Sequence, residues 1–115
     1  EKEILMTKNL RSICNKMEKL IHLDPNDRGI SNLIIPGELY NSASELLSCK
    51  HIAIGTGFPC TGYVPPTESD GPPGTMILAY CLARYNPNIN ITIIYDNCHE
   101  PVMNSLINHF NKLTN

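Results

Sequence analysis

No stretch of this 115-residue chain is strongly basic: nine lysines and arginines stand against eleven aspartates and glutamates, a net charge of −2. Without a cationic stripe to neutralise phosphates, nucleic acid is excluded as a partner. No apolar run is long enough to cross a bilayer, which argues against a membrane span. No secretory leader opens the sequence. The first residue is Glu1 rather than methionine, so upstream sequence, including any transit peptide, is expected. The five cysteines, Cys14, Cys49, Cys60, Cys81 and Cys98, are odd in number, and no two stand at C-x2-C or C-x4-C spacing. That excludes the usual zinc and disulfide frameworks and predicts free thiols in a reducing compartment. Internal repeats and low-complexity tracts are absent too.

What is present suffices for a core: 42% of the residues are apolar and 17% charged, which is not a disordered composition. The length fits one modest domain or part of a larger one. In residues 1–23, Met6, Leu10, Ile13, Met17, Leu20 and Ile21 recur at helical spacing and predict an amphipathic helix with that stripe inward. Asp24 and Pro25 end it. A second helix is expected from Pro36, with Leu39, Ala43, Leu46 and Leu47 on its buried face. The short apolar runs HIAIGTG, from His51, and INITIIYD, closing at Asp96, suit buried strands. Between them GTMILAYCLARY predicts a helix with Met76, Ile77, Tyr80, Cys81 and Ala83 covered. Asn97 with Glu100 reads as a capping box, followed by a helix whose inner face is Val102, Leu106, Phe110 and Leu113.

Strand, helix, strand at this length implies a parallel pair with a crossover. The fold class predicted is α/β: a three-layer, Rossmann-like parallel-sheet unit, with N-terminal helices over 1–50 and strand–loop–helix–strand–helix over 51–115. Two parallel strands leave faces and edges uncovered. The chain therefore reads as the N-terminal half of a larger domain, needing a partner chain or a C-terminal half.

The segment TGFPCTGYVPPTESDGPPG, Thr56 to Gly74, carries two carboxylates amid prolines and glycines. A flexible linker would be rich in Gly and Ser. Pro65, Pro66, Pro72 and Pro73 instead fix φ at four positions. Glu68 and Asp70 alternate and so point the same way in an extended stretch. Ligands of open parallel sheets bind beyond the carboxyl ends of the strands, where this loop and Asp96 both lie. Three gathered carboxylates repel one another, and a divalent cation or a cationic substrate group relieves that repulsion. Solvated loop carboxylates and a capping Asp96 are the bland alternative. The glycines at Gly55 and Gly57 lack the spacing of a dinucleotide fingerprint, so no nucleotide cofactor is expected. GPPG, Gly71 to Gly74, precedes the third helix and suggests an anion site made of free N–H groups. His22, His51, His99 and His109 read as structural or surface residues.

These residues carry a resemblance. TGFPC followed by PPTESDGPPG, with DRGI at Asp27–Ile30, PGEL at Pro36–Leu39 and the strand-ending Asp96, resembles the signature of the D-glutamate cyclase C-terminal domain family over about residues 27–96. Two positions depart from it: Ser69 and Tyr95 stand where the family usually has threonine. The resemblance implies an α/β fold and conversion of D-glutamate to 5-oxo-D-proline and water. In animals it implies a mitochondrial (matrix) location, otherwise a cytoplasmic one. It also implies a divalent metal, Mg or Mn, in an acidic cleft. On the matched positions, Glu68, Asp70 and Asp96 are the expected catalytic and metal-binding residues. Thr56, Gly57, Thr67, Ser69, Gly71 and Gly74 are the expected substrate contacts. The family domain runs well past residue 115. Two other readings stay open: a non-catalytic truncated homologue serving as a subunit of a larger assembly, and a metal-dependent phosphate-ester hydrolase.

Overall fold

The computed structural model describes residues 2–114, with side chains from residue 8 to residue 113. The chain forms two compact units, Glu1–Ser48 and Cys49–Asn115.

In the first unit, helix α1 (Lys2–Ile21) is followed by a 3-10 turn at Ile30–Leu33 and by helix α2 (Glu38–Ser48). The predicted helices form, but the predicted inner stripe of α1 does not become a core. Leu10, Ile13, Met17, Leu20 and Ile21 are all exposed, and Met6 lies outside the described side chains. The α2 face is half-buried at Leu39, Ala43 and Leu46, with Leu47 exposed. What this unit buries is a charge. Glu18 is only 7% exposed, and its carboxylate accepts the N–H of Gly37 at 2.8 Å and of Leu39 at 3.1 Å. It caps α2 from across the unit, satisfying donors that a helix start leaves without intrahelical partners. Arg11 lies over the Tyr40 ring, 4.4 Å from its centroid, and ties the same two helices. Asp24 organises the turn between them, accepting the N–H groups of Arg28, Gly29 and Ile30.

The N–H of Gly37 and then that of Leu39 hold the Glu18 carboxyl below the ordinary glutamate range. A depressed folded-state pKa contributes stability above the unfolded value, and that contribution is lost as pH falls through the folded one. Glu18→Gln is therefore expected to lower the urea midpoint of the α1–α2 unit at pH 7. The gap to wild type should close as pH drops below about 4.3, the free glutamate value. Equal midpoints at pH 7 would show that the cap contributes nothing.

In the second unit β1 (His51–Gly55) and β2 (Asn90–Ile94) pair in parallel, Ile52 opposite Ile91 and Ile54 opposite Ile93. Helix α3 (Gly71–Tyr85) makes the crossover. A 3-10 turn at Asn97–His99 leads into α4 (Glu100–Thr114). Burial alternates along both strands. The face of Ile52, Ile54, Ile91 and Ile93 is covered, whereas the face of Ala53, Thr92 and Ile94 is open. This is a partial α/β unit, with only one sheet face covered among the described residues. The open face agrees with the expectation that two parallel strands cannot cover themselves.

Helix α3 packs on β2 and on α4, where the rings of Tyr80 and Phe110 meet at 5.6 Å between centroids. The buried apolar residues are Ile52, Met76, Ala79, Leu82 and Met103. Their identity corrects the predicted faces. Met76 is buried and Tyr80 half-buried as expected, but Ile77, Cys81 and Ala83 are exposed, and α3 also buries Pro72, Thr75, Ala79 and Leu82. On α4 Met103 is fully enclosed, Val102, Leu106 and Phe110 are half-buried, and Leu113 is exposed. All five cysteines are free thiols.

Candidate functional site

The loop after β1 is ordered by its own backbone. The Thr56 N–H donates to the Ile94 carbonyl at 2.9 Å and carries the strand pairing one residue further. Gly57 then turns the chain with φ +92°, a conformation that favours glycine. Beyond it the chain doubles back. Pro59 and Thr67 form an antiparallel bridge, Cys60 N–H donates to Pro66 O at 3.1 Å, and Glu68 N–H donates to Phe58 O at 3.3 Å. A tight turn closes the end, from Cys60 O to Tyr63 N–H, with Gly62 at φ +92°. Val64–Pro65 is a cis peptide. The prolines thus shape a small hairpin at the carboxyl end of a parallel strand. It returns Thr67, Glu68, Ser69 and Asp70 to the start of α3.

That start differs from the expected anion site. GPPG is the first turn of α3 and not a lead into it, with Asp70 as the N-cap. The Gly71 N–H goes to the Asp70 carboxylate at 3.1 Å and the Gly74 N–H to the Asp70 carbonyl at 2.9 Å. Pro72 and Pro73 have no N–H to offer. Gly71 and Gly74 are therefore not free anion donors, because the helix has already used them. Gly71 has another role. A Cβ there would collide with the Glu68 carboxylate and approach Thr56 Oγ1 at 3.3 Å, so both side chains lie against this glycine.

A cleft of about 730 Å³ opens between the hairpin and α4. Thr67, Glu68, Ser69 and Asp70 make its polar wall, Val64, Pro65, Val102 and Leu106 its apolar wall, and Cys60 and Tyr63 also line it. Two carboxylates face this space and no lysine, arginine or histidine does. Asp96 does not join them. After β2 the chain turns at once into the 3-10 helix, and the Asp96 carbonyl accepts the His99 N–H at 2.9 Å while its side chain is exposed and caps nothing. The expected three-carboxylate metal centre is not assembled. Among the described residues no group of three His, Cys, Asp or Glu side chains could hold a metal ion. The Asn97–Glu100 capping box is not formed either, since Asn97 opens the 3-10 turn and α4 begins at Glu100.

Two buried polar atoms lie at this end of the sheet: one on Thr56, an expected substrate contact, and one on His99, which the sequence read only as a structural or surface residue. His99 is fully buried, with Nδ1 3.2 Å from Cys98 Sγ and no partner at Nε2. Thr56 Oγ1 is also buried without a partner. A Cβ at Gly57 would meet Cγ, Cδ2 and Cε1 of His99 at 3.0 Å each, so the imidazole lies flat on that glycine. The available signal was position, since His99 follows the carboxyl end of a parallel strand by a few residues.

The family described as D-glutamate cyclase-like, C-terminal, matches residues 17–114. Human mitochondrial D-glutamate cyclase is 34% identical over 79 residues, which is 68% of this chain and 13% of that protein. The chain thus spans about an eighth of that relative's length. No solved structure matches significantly.

Proposed function

Because the chain belongs to the D-glutamate cyclase-like C-terminal family, we propose that it carries the cleft in which D-glutamate is cyclised to 5-oxo-D-proline and water. The observation behind this reading is that Glu68 and Asp70 line one strand-end cleft together with the apolar Val64, Pro65, Val102 and Leu106. Cyclisation joins the α-nitrogen to Cδ, the carbon of the γ-carboxylate. The ammonium gives up two protons, the C–N bond forms, and one oxygen of the γ-carboxylate leaves with them as water.

Glu68 pairs with the substrate ammonium and holds the nitrogen toward Cδ of the γ-carboxylate, an orientation that accounts for much of an intramolecular rate. Ser69 and Thr67 hydroxyls reach the γ-carboxylate. Val102 and Leu106 keep bulk water from the new lactam. The residues do not fit a metal at Glu68, Asp70 and Asp96, so no step is assigned to one. The cleft lining supplies no cation for the second substrate carboxylate. A mitochondrial location is proposed from the human relative's name.

The test is D-glutamate turnover with the variants side by side. Glu68→Gln is expected to lower kcat/KM by about 10²-fold or more. Asp70→Asn should leave the midpoint of unfolding within about 0.5 kcal/mol, because asparagine caps a helix as well as aspartate does, while weakening substrate binding through the lost charge. Wild-type protein without turnover would favour the non-catalytic subunit reading.

A further inference from the structure

We propose that His99 is a catalytic residue of this site: its Nε2 meets the substrate amino group beside Thr56 Oγ1 and takes the proton that the amine must lose. The inference rests on the cyclase reading. A buried polar atom without a hydrogen bond costs on the order of 1–3 kcal/mol, and each such atom calls for an explanation. Here two occur at one corner. Thr56 directly follows β1, and the His99 ring lies flat on the next residue, Gly57. Thr56 Oγ1 and the Glu68 carboxylate share the same side of Gly71. Glu68 in turn lines the cleft, so a ligand group that passes Glu68 arrives at the corner. In the tautomer whose Nδ1–H donates to Cys98 Sγ, 3.2 Å away, Nε2 keeps its lone pair.

Both atoms are buried in this structure, so the ligand reaches them when this corner opens. The group that fits is a primary amine: Glu68 offsets its charge, Thr56 Oγ1 accepts one N–H, and Nε2 accepts the proton. The step balances. The ammonium loses one proton to Nε2, and the nitrogen attacks Cδ, the carbon of the γ-carboxylate. The γ-oxygen departs with the proton from Nε2 and the second one from nitrogen, giving lactam and water with imidazole restored.

The experiment is a ¹⁵N NMR titration of the wild-type imidazoles with D-glutamate, run beside kinetics of two variants. Glutamine places its amide near the Nε2 position, and asparagine near Nδ1. Expected are a shift of His99 Nε2 on saturation, D-glutamate affinity within about threefold of wild type in His99→Gln, and an affinity loss of about tenfold or more in His99→Asn. Both variants should lose about 10²–10⁴-fold in kcat, the usual worth of a general base. Bound D-glutamate with an unmoved Nε2 signal, or His99→Asn turning over like wild type, overturns the proposal and leaves the cyclase reading standing. Wild-type protein that neither binds nor cyclises D-glutamate overturns both. The wild-type titration decides the matter even where a variant fails to fold.

Discussion

Gly57→Ala is expected to destabilise the second unit by about 2–4 kcal/mol, read as a drop in its urea midpoint. Two causes combine. At φ +92° any Cβ forces the backbone into a region that L-residues rarely adopt. The new methyl would also stand 3.0 Å from three atoms of the His99 ring. His99 is fully buried, with its Nδ1 at Cys98, so the ring has no free space into which to retreat. Gly62 supplies the control. It has the same φ of +92° with nothing within 4 Å of its missing side chain. Gly62→Ala should therefore show the backbone strain alone, about 1 kcal/mol or somewhat more. The difference between the two variants measures the imidazole contact. Equal losses would mean that the ring yields freely and that Gly57 is present only for its turn.

Met103→Ala should cost the same unit about 2–5 kcal/mol, the range for emptying a buried large side chain. Met103 is fully enclosed, and few other apolar residues are buried with it: Ile52, Met76, Ala79 and Leu82. In so small a core the cavity is a large fraction of a domain stability of about 5–15 kcal/mol. Leu113→Ala on the same helix is the comparison. At 55% exposure Leu113 should change the midpoint by no more than about 0.5 kcal/mol. Thermal or urea unfolding followed by circular dichroism separates the two. Similar losses would mean that the enclosed position is not the one that holds α4 in place.

The site was legible in part. The proline density of Thr56–Gly74, set between a β-branched strand and a helix, marked an ordered loop at a strand end, and the hairpin is there. Alternation placed Glu68 and Asp70 together, and both line the cleft. Asp96 was placed correctly at the end of β2, yet closeness in topology did not bring its side chain to the cleft. The chain leaves β2 through a 3-10 turn that engages the Asp96 carbonyl. GPPG was read as a source of free donors, but Asp70 takes those N–H groups first. Such competition between neighbours depends on backbone angles that composition does not specify.

The amino-acid sequence by itself determined where the strands and helices run, which loop is stiff and which residues are left as free thiols. Each of these follows from local chemistry: β-branching, proline and glycine dihedrals, helical spacing and cysteine spacing. Only the tertiary structure decided which stripe finds a partner. The apolar face of α1 stays exposed while Glu18 is buried, because Gly37 and Leu39 bring their N–H groups to it from residues about twenty positions away. His99 is enclosed rather than exposed because Gly57, from the other strand's end, has no side chain to keep the ring away. Periodicity records a preference for burial. Whether that preference is met depends on distant groups that satisfy a charge or leave room for a ring.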